Sequence, residues 1–483
     1  MFQRRIPILH GFLLSLTMSQ PGCEMRETLT SHRNSPAVAE IRGTEKQITR
    51  GPGGRILTNT GVWSPDSEWI VYDTRSDAAG DEFDGDSIEM VNVRTGEVRT
   101  LYRTRNRAHC GVATFHPREN KVVFVLGPEN PAPGWQYGPF HRQGVIVAVE
   151  PTSPASVSVN LDARDLTPPF TQGALRGGSH VHVWDAAGDW VSFTYEDHLL
   201  AQFTQVTPDH DMNLRNVGVS VPGRAVRVNP DHPRNHDGGH FSVLVTRTTA
   251  NPKPGSDEIK KAFEEGWLGT NGYGRADGTR QHHALAFQGQ VITAQNETIA
   301  EVFIADLPDD LTQTGDGPLA GTETRRPFPP KGCVQRRLTF TAPRKFPGLQ
   351  GPRHWLRSSP DGSRIALLMK DDAGIVQLWT VSPHGGSPVQ VTRNPWSMAS
   401  AFTWSPDGRH VAHAMDNRVC LTEIASGQTH PLTPGTDDAS APRPEACVFS
   451  PDGKKLAYVR RVTESGQSVN QIFVAFLENF RGH

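Results

Sequence analysis

The sequence predicts an all-β chain closed into a seven-bladed β-propeller, and three observations carry the prediction. The block FTWSPDGRHVAHA at Phe402, made of a strand, a Ser-Pro-Asp-Gly turn and a second strand, recurs along the chain. Behind most copies come two further apolar runs, the second ending in a Leu-Thr or Val-Thr pair, so that each repeat supplies the four strands of one propeller blade. A fourth-strand sequence, EKQITRG from Glu45, stands with no blade in front of it, while the last repeat stops after its third strand.

Taken in order, the copies read VWSPDSEWIVYD from Val62, TFHPRENKVVFV from Thr114, VWDAAGDWVSFT from Val183, a weaker VRVNPDHP from Val226 with its return strand at FSVLVTRT, LRSSPDGSRIALL from Leu356, the Phe402 block, and VFSPDGKKLAYV from Val448. In these turns Pro fixes φ, Asp bonds its own backbone, and Gly or a small polar residue takes a conformation that a Cβ resists. The flanks alternate apolar and polar residues, which argues strands. Third strands are expected at IEMVNV from Ile88, VQLWTVS from Val376 and IFVAFL from Ile472, and fourth strands at VRTLYR from Val98, QRRLTF from Gln335 and VQVTRN from Val389. The Glu45 segment is expected to complete the last blade by pairing near residues 472–476, because a closed ring leaves few open edges.

Composition agrees: 46 Gly and 38 Pro suit a turn-rich chain, and a net charge of -2 without a basic tail gives no electrostatic reason to expect nucleic acid. Five scattered cysteines, Cys23, Cys110, Cys333, Cys420 and Cys447, show no C-x-x-C pair, which argues against both a disulfide framework and a zinc ribbon. Residues 1–24 read as a signal peptide: Arg4 and Arg5 precede the largely apolar run 6–18, too short for a membrane span, and Gly22-Cys23 looks like the end of a lipoprotein signal. The protein is then exported, either periplasmic or lipid-anchored at Cys23; a start at Met18 or Met25 would make it cytoplasmic. Residues 25–44 read as a polar tether and 45–483 as the propeller.

In a four-stranded antiparallel blade the start of the first strand and the second-to-third connection lie on one face of the disc, and the Ser-Pro-Asp-Gly turns on the other. Long connections at 74–86, 127–144 and 196–213 sort to the first face, which makes it the candidate mouth. Residues 248–300 read as an insertion folded over that mouth as a partial lid, with a short helix capped by Ser256, running over 258–263 and ended by Gly266; Ile259, Phe263 and Trp267 would pack downward. Inner strands begin with His109, with His180 and His182, and with His354. Aligning the turns puts His180 and His354 in one register, with His109 and His182 two residues to either side and so on the same side of the strand. Imidazoles converging from three blades suit a divalent transition metal, with His109, His180 and His354 as its predicted ligands. His198 ends a second strand at the same face, and Trp135 and Tyr137 are candidates for stacking on a sugar.

The repeated blades resemble the TolB-like propellers from about Glu45 onward, and GALRGGSHVHV, RTTANPKPGSDEI and PRHWLRSSPDG look like one bacterial subfamily of them. The inner-strand histidines are similar to those of the oligogalacturonate lyases, seven-bladed propellers that hold manganese with three His and one Gln. That resemblance implies a manganese site to which His180, His182 and His354 contribute, with Gln350 as a further ligand. It also implies β-elimination on small acidic uronate oligosaccharides, with Arg176 or Arg353 neutralising the carboxylate and His182 or His198 removing the proton. The alternative is a non-catalytic TolB-like binding module for a protein or peptide. A propeller cap on a serine peptidase is the weakest reading, since no G-x-S-x-G follows the repeats.

Overall fold

Each Ser-Pro-Asp-Gly copy forms the turn its chemistry dictates. Ser64, Ser359, Ser405 and Ser450 donate to the carboxylates of Asp66, Asp361, Asp407 and Asp452, and each carboxylate also accepts the backbone N–H two residues on at 3.0 Å. The position after Asp is left-handed: Gly362, Gly408 and Gly453 lie at φ 76°, 72° and 69°, and Ser67 takes the same conformation at 61°. The computed structural model describes residues 43–477, apart from 59, 78, 150–157 and 465. The predicted signal peptide with Cys23, and residues 25–42 of the predicted tether, lie outside the described residues.

The turns join seven four-stranded antiparallel sheets that follow one another in chain order, as predicted. Blade 1 opens with Gly54–Ile56, blade 2 with Cys110–Phe115, blade 3 with Gly177–Trp184, blade 4 with Lys261–Trp267, blade 5 with Arg357–Ser358, blade 6 with Thr403–Trp404 and blade 7 with Pro442–Phe449. The apolar core is divided among the seams between blades. Ile70 and Val91 of blade 1 meet Val459 and Val474 of blade 7, and Phe287 and Phe303 of blade 4 meet Val219 and Phe241 of blade 3. Tryptophans lace the inner ring, Trp63, Trp267 and Trp404 donating to the carbonyls of Val448, Val183 and Arg357 on the neighbouring blade at 2.9–3.0 Å. Cys110, Cys333, Cys420 and Cys447 are free thiols, and among the described residues no helix is long and apolar enough to cross a membrane.

Closure follows the sequence reading. Thr44–Gln47 pairs antiparallel with Gln467–Phe476, Gln47 opposite Phe473, and Glu45 accepts from Arg460 at 2.9 Å and from the Tyr458 hydroxyl. Just beyond, Ile48 sits in the apolar seam with Leu57, Val62 and Ile472. Ile48→Asp is therefore expected to cost about 3 kcal/mol or more, since it removes a buried side chain and places a charge in the seam that latches the ring. Thermal unfolding and limited proteolysis would show it, and a melting temperature equal to wild type would refute this account of the closure.

The fourth blade corrects the prediction. The weak copy at Val226 is not a blade: Val226 makes one isolated bridge to Gly238, and the expected return strand, Phe241–Leu244, is the outer strand of blade 3. The segment read as an insertion supplies blade 4 instead, with strands Lys261–Trp267, His283–Ile292, Thr298–Leu307 and Val334–Arg337. The predicted helix gives way to a strand from Lys261 because the ring requires one there, an even spacing of apolar residues suits either form, and it is Ala262, not Phe263, that joins Ile259 in the seam with blade 3. Gly266 does not end a helix. A Cβ on it would stand 2.1 Å from the Leu356 carbonyl, so it is glycine because two blades touch there. The hairpin of Tyr273–Gly274 with Arg280–Gln281 projects on the turn side, where Thr270 bonds the Pro360 carbonyl at 2.8 Å, and it forms no lid over the mouth.

Candidate functional site

The first strands of blades 2, 3, 4 and 7 shift register, and the bulges help decide what faces the channel. Val112, Val181 and Glu264 take φ of 57°, 56° and 55°, each at a register shift in the first strand of its blade. A β-branched residue at positive φ is strained, and such strain persists only where its surroundings impose it. Around Val112 the support is visible, since its N–H donates to the carboxylate of Asp73 on blade 1 at 3.0 Å.

The bulges at Val112 and Val181 border a cavity of about 680 Å³ on the predicted mouth face, lined also by residues of the 74–86 and 127–144 connections and by His180, Arg353, Trp355 and Glu445. Its walls are charged, and most of the charge is paired within the protein. Asp73 meets Arg75 at 2.7 Å, Glu264 meets Arg353 at 3.0 Å, and Glu445 lies 3.6 Å from Arg443. Burial raises the carboxyls of Asp73, Glu264 and Glu445, against the pull of those arginines. Aromatic rings build the remaining wall. Phe83 stacks on Tyr137 at 4.3 Å, Arg75 lies over Phe83, and Arg353 covers Trp355.

Two groups are left over. Arg142 is buried and forms no ion pair among the described residues; burial lowers its pKa, and its polar neighbour is the Tyr137 hydroxyl. His180 lines the same cavity, and its Nδ1, shielded from solvent, lacks a hydrogen-bond partner. Burial, and then the positive charges of Arg142, Arg353 and Arg215, hold its pKa well below the usual imidazole range, so the ring is neutral. A neutral imidazole beside an uncompensated guanidinium is a site that favours an anion.

The other predicted residues lie elsewhere. The bulge at Val181 breaks the alternation of its strand, so His180 and His182 do not share a face. His182 is buried in the seam between blades 2 and 3, against Gly144 and 3.0 Å from the Ser179 hydroxyl, and burial lowers its pKa to about 3. Both ring nitrogens of His354 are engaged inside blade 5, Nδ1 with the Pro352 carbonyl at 3.0 Å and Nε2 with the Leu368 N–H at 3.3 Å. His109 holds the Asp84 carbonyl at 3.1 Å, and Gln350 donates to the Pro347 carbonyl at 2.8 Å. Among the described residues no group of three His, Cys, Asp or Glu side chains could hold a metal ion. The predicted set of His109, His180, His354 and Gln350 therefore does not fit manganese, because two of the three imidazoles are turned to backbone groups of their own surroundings.

Arg176 is likewise structural: it is fully buried, bonded to Asp197 at 2.6 Å and to the carbonyls of Thr322 and Arg325. His198 pairs with His141 at 3.0 Å behind the mouth wall. Trp135 is buried under His141 at 3.9 Å, so it packs the loop and offers no open face to a sugar. Of the residues predicted to act, His180, Arg353 and Tyr137 reach the mouth. Arg142, which the sequence reading passed over, adjoins His141 in a connection already sorted to this face.

Residues 109–236 match the family described as "Protein of unknown function (DUF3748)". Over 90% of this chain the fold is similar to the oligogalacturonate lyase of Vibrio parahaemolyticus, with 93% of that chain covered, a TM-score of 0.50 and 10% identity. A structure of oligogalacturonate lyase in complex with manganese is similar with the same TM-score and identity, covering 98% of that chain. At these identities the likeness concerns the fold alone. A sequence relationship that reaches across the chain is to the uncharacterized protein YidR of Escherichia coli (strain K12), 48% identical over 426 residues that span 87% of this chain and 95% of that protein. The chain belongs to the family of YidR, and its fold is a seven-bladed propeller latched by an N-terminal strand.

Proposed function

We propose that the protein is an exported, carbohydrate-active propeller whose mouth takes an acidic saccharide, with uronate-containing oligosaccharides as the substrate class. The observation that carries the reading is the buried, unpaired Arg142 beside the neutral, unpartnered His180 in one cavity of about 680 Å³. A buried cation without a counter-charge is costly, and a ligand carboxylate supplies one. Tyr137 and Trp355 line the same cavity; one face of each is taken, by Phe83 and by Arg353, and the half-exposed remainder is apolar surface for a pyranose.

Elimination is the reaction this arrangement suits. Neutralising the carboxylate on Arg142 acidifies the adjacent C–H, and His180 is in the deprotonated state that accepts that proton. The C–H electron pair becomes the new C=C bond, the glycosidic C–O bond on the neighbouring carbon breaks, and the departing oxygen takes a proton from solvent. The bound carboxylate would also raise the His180 pKa from its depressed value, which makes it a stronger base when substrate is present. No step is routed through manganese, since the residues at hand do not fit it.

Incubating the purified protein with saturated oligogalacturonate tests the reading, with calorimetry for binding and ultraviolet absorbance for an unsaturated product. Binding with product supports the lyase. Binding without product leaves an acidic-saccharide binding module, and absence of binding to any uronate overturns the proposal.

A further inference from the structure

In the seam between blades 2 and 3 a small apolar cluster of Val123, Leu161, Trp184 and Val191 is joined by buried polar groups. Asp162, Arg164 and His182 are all buried there. Asp162 takes Ser179 at 3.0 Å on one oxygen, its other oxygen has no partner, and burial pushes its carboxyl up to about 6. Arg164 is tied to carbonyls, Nε to Gly177 at 3.3 Å and Nη2 to Arg142 at 2.7 Å, and among the described residues it forms no ion pair. Burial lowers its pKa to about 10 even though Asp162 acts to raise it.

This guanidinium lines a second cavity of about 340 Å³, separate from the mouth and bounded also by Trp135, Gln143, Asn160, Arg234 and His236. Arg234 repeats the pattern of Arg164. It donates to the carbonyls of Glu129 and Asn130 at 2.7 and 2.9 Å, lies over Trp135, and has no ion pair among the described residues. His236 presents an Nε2 that is shielded from solvent and has no partner. The Glu129 carboxylate, the acid on this wall, accepts from the Asn106 amide at 3.2 Å and among the described residues forms no ion pair with Arg164 or Arg234.

We infer that this outer pocket is a second anion-binding site, for a small oxyanion, carboxylate or phosphate, on a body no larger than a monosaccharide. Two guanidiniums whose acceptors are neutral carbonyls, one of them buried, are incompletely compensated, and an anion between them supplies the missing charge. Asn160 is held by Gln143, His236 and the Asp237 carbonyl, so the second N–H of the Gln143 amide and the unpartnered His236 Nε2 are the groups left to fix its orientation. The volume lies at the lower end of the range for ligand sites, which sets the size limit. Because Arg164 bonds the Arg142 carbonyl, the pocket shares a wall with the mouth without sharing its side chains.

The test is calorimetric titration of the full chain with galacturonate, inorganic phosphate and neutral galactose, in wild type and in the Arg234→Ala and Arg142→Gln variants. Arg234→Ala is chosen over a change at Arg164 because Arg234 is half-exposed and its loss does not empty the seam. Expected is saturable binding of galacturonate or phosphate that survives Arg142→Gln and is weakened at least tenfold by Arg234→Ala, with galactose silent. The preferred anion distinguishes a sugar acid from a phosphate. Anion binding indifferent to Arg234→Ala, binding lost with Arg142→Gln alone, equal binding of galactose, or no binding of any probe would overturn the outer site. Only the loss with Arg142→Gln bears in favour of the mouth.

Discussion

Arg142→Gln is expected to weaken binding of a uronate oligosaccharide by about tenfold to a hundredfold, since a charge-assisted hydrogen bond to a carboxylate contributes ~1.5–3 kcal/mol and 1.4 kcal/mol is a factor of ten. The same change should leave the fold within about 1 kcal/mol of wild type or slightly firmer, because it removes a buried cation that has no carboxylate partner. Loss of function without loss of stability is what separates a ligand-binding arginine from a structural one. Arg353→Gln should do less, since that side chain is 58% exposed and already paired with Glu264. Calorimetry and thermal melts of both variants decide the matter. An Arg142→Gln protein with wild-type affinity would remove the mouth as the site of charge recognition.

Acidification from pH 6.5 towards 4 is expected to destabilise the ring. His182, His354 and His413 are buried and neutral, their pKa values lowered by burial to about 3, 4 and 4. Their folded values lie below the unfolded one, so their contribution is fully present above pH 6.5 and is lost as the pH falls towards the folded values. Glu265 and Asp162 work in the opposite sense, with carboxyls pushed by burial up to about 7 and about 6. The three histidines exceed the two acids by one proton, a slope of ~1.4 kcal/mol per pH unit. Half-buried His198, His236 and His240, also lowered, add to the acid-sensitive side, while the raised carboxyls of Asp73, Glu264 and Glu445 offset part of that. Denaturant melts at pH 7, 6 and 5 should show stability falling, and His413→Gln should flatten the dependence. Stability that is level or rising on acidification would contradict the assignment of these histidines as neutral.

The candidate site was less legible than the fold. The sequence led to the right face, through the lengths of the 74–86 and 127–144 connections, and to His180, Arg353 and Tyr137. It did not lead to Arg142, because an arginine beside a histidine in a loop carries no spacing signal. Nor could it separate His180 from His182: alternation is reliable only along a regular strand, and the positive φ at Val181 interrupts it. His354 failed for another reason, since its register was right but both nitrogens are consumed by nearby backbone groups.

Turn chemistry and ring closure are matters of local chemistry. A Ser-Pro-Asp-Gly turn forms from its own side chains, and an unpaired fourth strand at one end must find the blade that lacks one, so the sequence by itself determined the turns and the closure; the count of seven agreed only because the false copy at Val226 stood in for the blade read as an insertion. The sequence could not say which segment builds blade 4, because Ile259, Phe263 and Trp267 satisfy helical and strand spacing alike, and Gly266 reads equally as a helix end or a point of close approach. The tertiary structure decided that question through the Leu356 carbonyl, which leaves no room for a Cβ at Gly266. It decided the site in the same way: which charges are paired and which are left over depends on distances between residues far apart in the chain, as between Glu264 and Arg353, and sequence spacing does not encode those distances.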